Sequence, residues 1–260
     1  MSPREALHAE WTKVRTLSGT IWLLLGTIAL TTVASAATAA ASTCRATGCD
    51  LDPVRICLGG VQLGQTAVAV LAVVAVADEY STGTIRVSLA AIPRRPHVLA
   101  AKAAVLTGLV LAAGTVAVLA SFLAGRSILP GNGVGPDHGL PALSLADGPV
   151  LRAVVGSVLY LALIALLGLG IATAVRDSAT AIGTVLGLLY LFPILAAVVT
   201  DPGWHRRLQQ IGPMTAGLAV QATTSRPDLP IGPWAGLGVL AAWAAAALLA
   251  GLLALRLRDA

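Results

Sequence analysis

Six apolar stretches recur along the chain, and each is long enough to cross a lipid bilayer. A membrane-spanning helix needs about 20 apolar residues, because each residue adds about 1.5 Å against a hydrocarbon thickness of about 30 Å. None of the stretches holds Asp, Glu or Arg in its interior, and Lys102 lies near an end, where its ammonium can reach the interface. Since backbone groups in hydrocarbon must pair internally and the stretches are too long for barrel strands, they predict helices. They lie near 20–41, 56–77, 98–122, 153–175, 179–199 and 233–255.

The composition agrees with a membrane protein. Hydrophobic residues make up 57% of the 260 residues and charged residues 11%, whereas soluble domains carry about 25% charged residues. The basic residues are dispersed between the apolar stretches, and aromatic residues are scarce, which disfavours binding of nucleic acid. We expect an all-α polytopic membrane protein, with residues 1–260 forming one transmembrane domain in the lipid bilayer.

The basic residues also predict an orientation. With both termini in the cytoplasm, ten of the seventeen Lys and Arg residues lie inside and seven outside, which follows the positive-inside rule. The outer loops are then the longer ones, and they are richer in Gly and Pro. The abundance of Ala and the preference for Arg over Lys are typical of a GC-rich bacterial genome. We therefore expect a multi-pass protein of a bacterial plasma membrane.

The N-terminal segment has the pattern of an amphipathic helix. Ser2–Glu5 reads as a capping box with Pro3 at the first helical position. One apolar stripe follows at helical spacing, formed by Leu7, Trp11, Val14 and Leu17. These features predict an interfacial helix over 3–19. A cleaved signal peptide ending near Ala34–Ala36 is the alternative, and it would leave five spans.

Two segments on the predicted outer side differ in character. Residues 123–152 hold many Gly and Pro residues and predict a turn-rich loop. Within 200–232, Trp204, Leu208 and Ile211 share one helical face, which predicts a short interfacial helix.

Motifs of catalysis, metal binding and cofactor binding are absent from the sequence. There is no P-loop, no H-E-x-x-H and no C-x-x-C, and the four His residues are scattered. No ionisable residue lies inside a predicted span, so a proton or sodium relay lacks its usual carriers. We expect no catalytic residues, no metal site and no cofactor bound by this chain.

Cysteines and polar residues near the outer side allow two interpretations each. Cys44 and Cys49 flank a short loop on the oxidising side, and either form a disulfide or are two free thiols. Small polar residues follow one face of the first span, and glutamines follow the second. They either line a substrate path or join the helices. The residues of this candidate path are Thr27, Thr31, Ser35, Gln62 and Gln65.

Glycine pairs at four-residue spacing indicate faces on which helices pack closely. Gly60 and Gly64 form one such face at the start of the second predicted span, and Gly183 and Gly187 form another on the fifth.

Residues 78–97, between the second and third predicted spans, form a charged elbow on the cytoplasmic side. Two acids end the second span, Gly83 permits a tight turn, and Pro93 and Pro96 bound a basic corner. Such an elbow either docks on a partner protein or is a plain juxtamembrane connection. The residues predicted to make the contact are Asp78, Glu79, Tyr80, Gly83, Thr84, Arg86, Arg94 and Arg95.

Motifs spread along the whole chain resemble those of type-two ABC exporter permeases from actinobacteria. They are Glu10–Thr16 before the first span, Glu79–Arg86 with the Pro93-Arg94-Arg95 corner, Ala101-Lys102, Arg176-Asp177-Ser178 and Gly212–Ala216.

The resemblance implies a six-helix permease subunit that pairs with a second subunit, as a homodimer or a heterodimer. ATP would be hydrolysed by a separate cytoplasmic ABC ATPase, and this chain would not be an enzyme. The elbow would carry the coupling helix that meets the ATPase. The lack of a large extracellular domain favours export of a small or lipid-soluble substrate. A non-transporting immunity or sensor protein of the membrane is the alternative.

Overall fold

The described part of the chain is helical throughout. The computed structural model describes residues 18–44, 51–81, 95–135, 143–224 and 229–257, and no strand occurs within them. The interfacial helix predicted for 3–19 lies outside these ranges, except for its last two residues. Two short 3₁₀ turns cover Leu129–Asn132 and Ala219–Gln221. The α-helices of these ranges are α1 Ser18–Ala41, α2 Pro53–Cys57, α3 Val61–Ser81, α4 Arg95–Ile128, α5 Gly148–Val175, α6 Ser178–Val198, α7 Pro202–Ile211, α8 Pro213–Leu218 and α9 Pro233–Leu257.

Five of these helices are long and apolar enough to cross a membrane, namely α1, α4, α5, α6 and α9. The apolar part of α3, Val61–Ala77, is shorter than the other five. Large apolar side chains of the five helices lie on the outside of the bundle, as in Trp22, Ile194 and Leu257. A surface of this kind fits lipid and would cause aggregation in water. The chain is a multi-pass membrane protein of all-helical fold.

The second predicted span begins later than the sequence pattern indicates. The predicted stretch begins near residue 56, whereas α3 begins at Val61 after the separate helix α2 and a turn over 58–60. Gly59 and Gly60 lie at this break, and glycine has low helix propensity. The amide of Gly59 bonds the carbonyl of Ile56, which closes the turn.

The third predicted span is longer than expected. Helix α4 continues six residues beyond the predicted end at 122, so the predicted loop 123–152 begins as helix and 3₁₀ turn. The sequence between Lys102 and Arg126 is free of charge, and this apolar part alone would cover about 34 Å at 1.5 Å per residue. The apolar pattern therefore identified the apolar part of α4 and missed its continuation to Ile128.

Helix α5 occupies the centre of the bundle and packs against α3, α4, α6 and α9. Glycines allow its backbone to approach two neighbours. A Cβ atom on Gly168 would lie 3.0 Å from the Cβ of Ala72 in α3, and one on Gly170 would lie 2.4 Å from the backbone carbon of Ala247 in α9. Small residues of this kind let membrane helices pack backbone to backbone.

The two glycine pairs have different surroundings. Gly60 and Gly64 pack on α1, where added Cβ atoms would meet Thr31 and Ser35, so the predicted close packing is confirmed there. Gly183 and Gly187 in α6 have no atom of the described chain near the position of a Cβ. Their predicted close packing has no partner within these residues.

A re-entrant segment, Pro202–Gln221, follows α6. It begins beside the end of α6 and reaches Phe192 at Gly212, about 9 Å down α6 at 1.5 Å per residue. Val220 packs on Gly156 inside α5, and the chain then returns to Asp52 at Thr223. The interfacial helix predicted around Trp204, Leu208 and Ile211 is its first part, α7.

Side chains compensate for the break in this segment at membrane depth. Pro213 has no N–H to give to the carbonyl of Gln209, which instead accepts a hydrogen bond from Thr215 Oγ1 at 2.9 Å. The carbonyl of Ile211 accepts from Trp243 Nε1 of α9 at 3.0 Å. Irregular backbone is tolerated within a membrane only where protein satisfies its polar groups in this way.

Replacing Gly170 with Val should destabilise the bundle, because the side chain would have to displace the backbone of α9. Overpacking a tight contact typically costs about 1–3 kcal/mol. We expect a lower thermal midpoint in detergent, measured by size-exclusion chromatography of heated samples. Gly108→Val in α4 is the matched control, since open space surrounds Gly108. Equal midpoints for the two variants would contradict the close α5–α9 contact.

Candidate functional site

Polar side chains gather where the re-entrant segment meets the transmembrane bundle. Gln65 of α3 and Tyr160 of α5 are fully buried there, and Met214 of α8 is almost fully buried. Thr66 of α3 and Tyr190 of α6 are half-buried beside them. We call these five residues the Gln65 cluster. It joins α3, α5 and α6 to the re-entrant segment.

Hydrogen bonds satisfy both ends of the Gln65 amide. Its Oε1 accepts from the hydroxyl of Tyr160. Its Nε2 donates to Met214 Sδ at 3.2 Å and to the Tyr190 hydroxyl at 3.4 Å. The Tyr190 hydroxyl is also 2.8 Å from Thr66 Oγ1, and it donates to the carbonyl of Gln62 at 3.2 Å. Because polar groups away from water are costly when unpaired, this network fixes how α3, α5 and α6 sit together.

Two glycines of the re-entrant segment allow close packing around the Gln65 cluster. A Cβ on Gly217 would lie 2.6 Å from Cε2 of Tyr160, so the tyrosine ring lies against the backbone of the re-entrant segment. A Cβ on Gly212 would lie 2.7 Å from that of Phe192. Because Gly212 and Gly217 have no side chain, the re-entrant segment can approach α5 and α6 closely enough to place Met214 beside Gln65.

The cluster offers neutral donors and acceptors and carries no charge. The described residues hold no group of three or more His, Cys, Asp or Glu that could bind a metal ion. What this arrangement can do is fix the relative positions of helices and transmit their movement. Helix α3 extends from Gln65 to Ser81, about 24 Å along its axis, and so connects the cluster with the start of the elbow.

The residues of the candidate substrate path do not form one group in the structure. Thr27 and Thr31 donate to carbonyls one turn earlier, at 2.8 and 2.6 Å. Ser35 Oγ accepts from the Gly60 amide at 3.0 Å, which joins α1 to the turn before α3. Gln65 belongs to the Gln65 cluster, and Gln62 is exposed. These contacts are those of helix packing, and a role in a substrate path stays a prediction.

The elbow residues lie largely outside the described part of the chain. Asp78, Glu79 and Tyr80 fall in the last turns of α3, and Arg95 is the first residue of α4. Residues 82–94, which include Gly83, Thr84, Arg86 and Arg94, are outside the described ranges. The contact of this elbow with a partner stays a prediction.

The cysteines are in two states. Cys44 is buried and disulfide-bonded. Cys57 is a free, buried thiol, and Gly125 of α4 packs against it. Cys49 lies outside the described residues, so its pairing with Cys44 stays a prediction.

A second polar junction, which the sequence pattern did not reveal, lies at Thr223, just beyond the end of the re-entrant segment. The buried Asp52 carboxylate accepts from the amide and the hydroxyl of Thr223, both at 2.7 Å, and it also caps α2 through the Arg55 amide. Nearby, Arg152 Nη2 donates to the carbonyl of Ala222 at 2.6 Å. The Asp52-Pro53 pair is a helix-start pattern, but nothing in the sequence identifies Thr223 as its distant partner.

The opposite end of the bundle has a tight two-residue connection between α5 and α6. Arg176 adopts a left-handed conformation with φ of 65°, and its guanidinium donates to the carbonyl of Ala254 near the end of α9 at 3.1 Å. Asp177 caps α6 by accepting from the Thr180 amide at 2.8 Å. Hydrogen bonds from the side chain and backbone of Thr180 lower the pKa of the Asp177 carboxyl.

Comparison with known proteins does not assign the chain to a family. No protein-family model matches the chain, and no curated protein matches it. The resemblance to exporter permeases therefore remains an expectation that rests on the motifs of the sequence.

Replacing Gln65 with Leu should leave the buried hydroxyl of Tyr160 without its acceptor. An unpaired buried polar group costs about 1–3 kcal/mol, so the thermal midpoint should fall. Tyr160→Phe removes the other partner, and the double variant should lose clearly less than the sum of the single losses. Gln62→Leu is the control, since its exposed side chain is not part of the network and its carbonyl is retained. Additive losses for Gln65 and Tyr160 would contradict the bond between them.

Proposed function

We propose that this chain is the permease subunit of an ATP-driven exporter, with ATP hydrolysed by a separate cytoplasmic ABC ATPase. The observation that carries the proposal is the rigid pair of helices α3 and α4 on either side of the elbow. In α3 the apolar part ends at Ala77, and the helix continues to Ser81. In α4 the helix begins at Arg95, ahead of the apolar stretch that starts near residue 98.

These helix ends support a role in transmitting force. The first residues of α4, Arg95 to His97, cover about 4.5 Å before the apolar stretch begins. Both helices therefore continue beyond their apolar parts toward the segment that connects them. A protein that pushes on this segment would move two stiff helices rather than a flexible linker.

The interior of the bundle supplies a path for that movement. Helix α3 leads from the elbow to the Gln65 cluster, and the cluster bonds α3 to α5, α6 and the re-entrant segment. A shift of α3 along or about its axis would therefore move the re-entrant segment, which lies at the predicted outer side. Coupling of this kind is what an exporter needs, because ATP is hydrolysed on one side and substrate leaves on the other.

The remaining features of the proposal follow from the sequence and the helix surfaces. We assign α3 as a sixth span, with both termini in the cytoplasm of a bacterium and the protein in its plasma membrane. A second permease subunit would pack on α6, where Gly183 and Gly187 leave an open face of the kind that membrane helices use for association. The substrate would be small or lipid-soluble.

The coupling role is tested with variants of the elbow. Glu79→Ala removes a charge that would pair at the interface, and truncating one partner of a buried interfacial pair typically costs about 2–5 kcal/mol. Gly83→Val would misplace the turn. Both variants should insert normally, yet co-purify less of a partner P-loop ATPase and lose stimulated ATP hydrolysis.

Arg206→Ala, at the opposite end of the bundle, is the control for this experiment and should change neither ATPase binding nor ATP hydrolysis. Normal ATPase binding and transport in both elbow variants would show that the elbow is a plain connector. Absence of any ATPase partner would instead favour the immunity or sensor alternative.

The topology is tested with reporter fusions. Fusions after Asp137 and after Asp228 should report the outside, because both follow an odd number of spans when α3 crosses the membrane. Fusions after Arg94 and at the C-terminus should report the inside. An outside location of Arg94 would contradict both the sixth span and the coupling role.

A further inference from the structure

Helix α7 has an apolar face that no described part of the chain covers. Trp204 is 60% exposed and Ile211 is 53% exposed, and both belong to that face. Helix α6, which packs against α7, also exposes large apolar side chains, with Ile194 60% and Val198 75% exposed. Since α6 is long and apolar enough to cross a membrane, these exposed side chains fit contact with acyl chains.

The start of α7 lies at the level where hydrocarbon meets lipid headgroups. His205 Nδ1 is 2.8 Å from the carbonyl of Ala196, two residues before the end of α6. Trp204, the preceding residue, is therefore level with the end of a membrane-spanning helix. Tryptophan is enriched at this depth because its ring is apolar and its N–H is polar.

Arg207 lies at the border between the apolar face and water. Its Cζ atom is 5.5 Å from the centre of the Trp204 ring, a cation–π contact that holds the guanidinium beside the apolar face. At about 100° per residue, Arg207 is about 60° from Trp204 around the helix, whereas Arg206 is about 160° from it. Both arginines are exposed, and only Arg207 is next to the lipid-facing side.

The histidine and the two glutamines of α7 are occupied by the protein. Gln209 Nε2 is 2.9 Å from His205 Nε2, and Gln210 donates to the carbonyl of Pro230 at 2.6 Å. The carboxylate of Asp201 caps the helix by accepting from the Trp204 amide at 2.8 Å. Among the described residues, the guanidinium N–H groups of Arg207 make no hydrogen bond. They are free to bind an anion.

We propose that Arg207, held by Trp204, binds the phosphate of an anionic phospholipid in the leaflet at the α7 end of α6. The planar guanidinium can donate two parallel hydrogen bonds to phosphate oxygens, while the apolar face of α7 rests against the acyl chains. Anionic lipids are favoured over zwitterionic ones, because each basic residue near an anionic surface raises affinity on the order of fivefold. This site is independent of whether the chain is an exporter.

The site is tested by native mass spectrometry of the purified full-length protein in detergent, titrated with phosphatidylglycerol or with phosphatidylcholine. The parent protein should bind phosphatidylglycerol more tightly. Arg207→Gln should weaken that binding about fivefold or more and leave phosphatidylcholine binding unchanged. Arg207→Lys keeps the charge but loses the planar donor pair, and its affinity should lie between those of the parent and Arg207→Gln.

Arg206→Gln is the matched control, since it removes the same charge from the adjacent position on the other side of the helix. It should retain phosphatidylglycerol binding within about twofold. Equal losses in Arg206→Gln and Arg207→Gln would show that only overall charge attracts the lipid, and no loss in Arg207→Gln would show that the site does not bind it. Either result would overturn the proposal.

Discussion

The backbone contact between α5 and α9 at Gly170 holds the centre of the molecule together. Two membrane helices surrounded by lipid gain little from the hydrophobic effect when they meet, so close packing must supply the attraction. The added Cβ of even an alanine at Gly170 would lie within 2.7 Å of three backbone atoms of α9. With this contact in place, α5 is enclosed by α3, α4, α6 and α9.

The buried position of α5 creates the setting for the polar junctions. Tyr160 is fully buried because neighbours surround α5 at that level, and its hydroxyl must therefore find an acceptor within the protein. Gln65 supplies it, and Gln65 in turn bonds Met214 of the re-entrant segment. Just beyond the end of the re-entrant segment, Asp52 holds Thr223 by hydrogen bonds in the same manner. The re-entrant segment is thus fixed to the bundle at its middle and at its exit.

The long helices could be predicted from the sequence, whereas most of the polar contacts between helices could not, for a physical reason. The apolar stretches report the solvent that surrounds a helix, so they gave the fold class and the approximate position of each long helix. They did not reveal the break at Gly59 and Gly60 or the extension of α4 to Ile128, because both lie where the apolar pattern fades. Gln65 was identified as a polar residue on a membrane helix, but its partners Tyr160 and Tyr190 are distant in sequence, so a role in a substrate path and a role in packing could not be distinguished.

The amino-acid sequence by itself determined that this is a membrane protein, because its long uncharged stretches have no other stable environment. It also determined the approximate position of each long helix, because an apolar stretch of about 20 residues can satisfy its backbone in lipid only as a helix. Only the tertiary structure decided which glycines pack closely, since Gly60 and Gly183 have the same spacing motif and opposite surroundings. The tertiary structure likewise decided that the segment after α6 turns back into the bundle, because side chains such as Thr215 and Trp243 satisfy its broken backbone only once the helices are assembled.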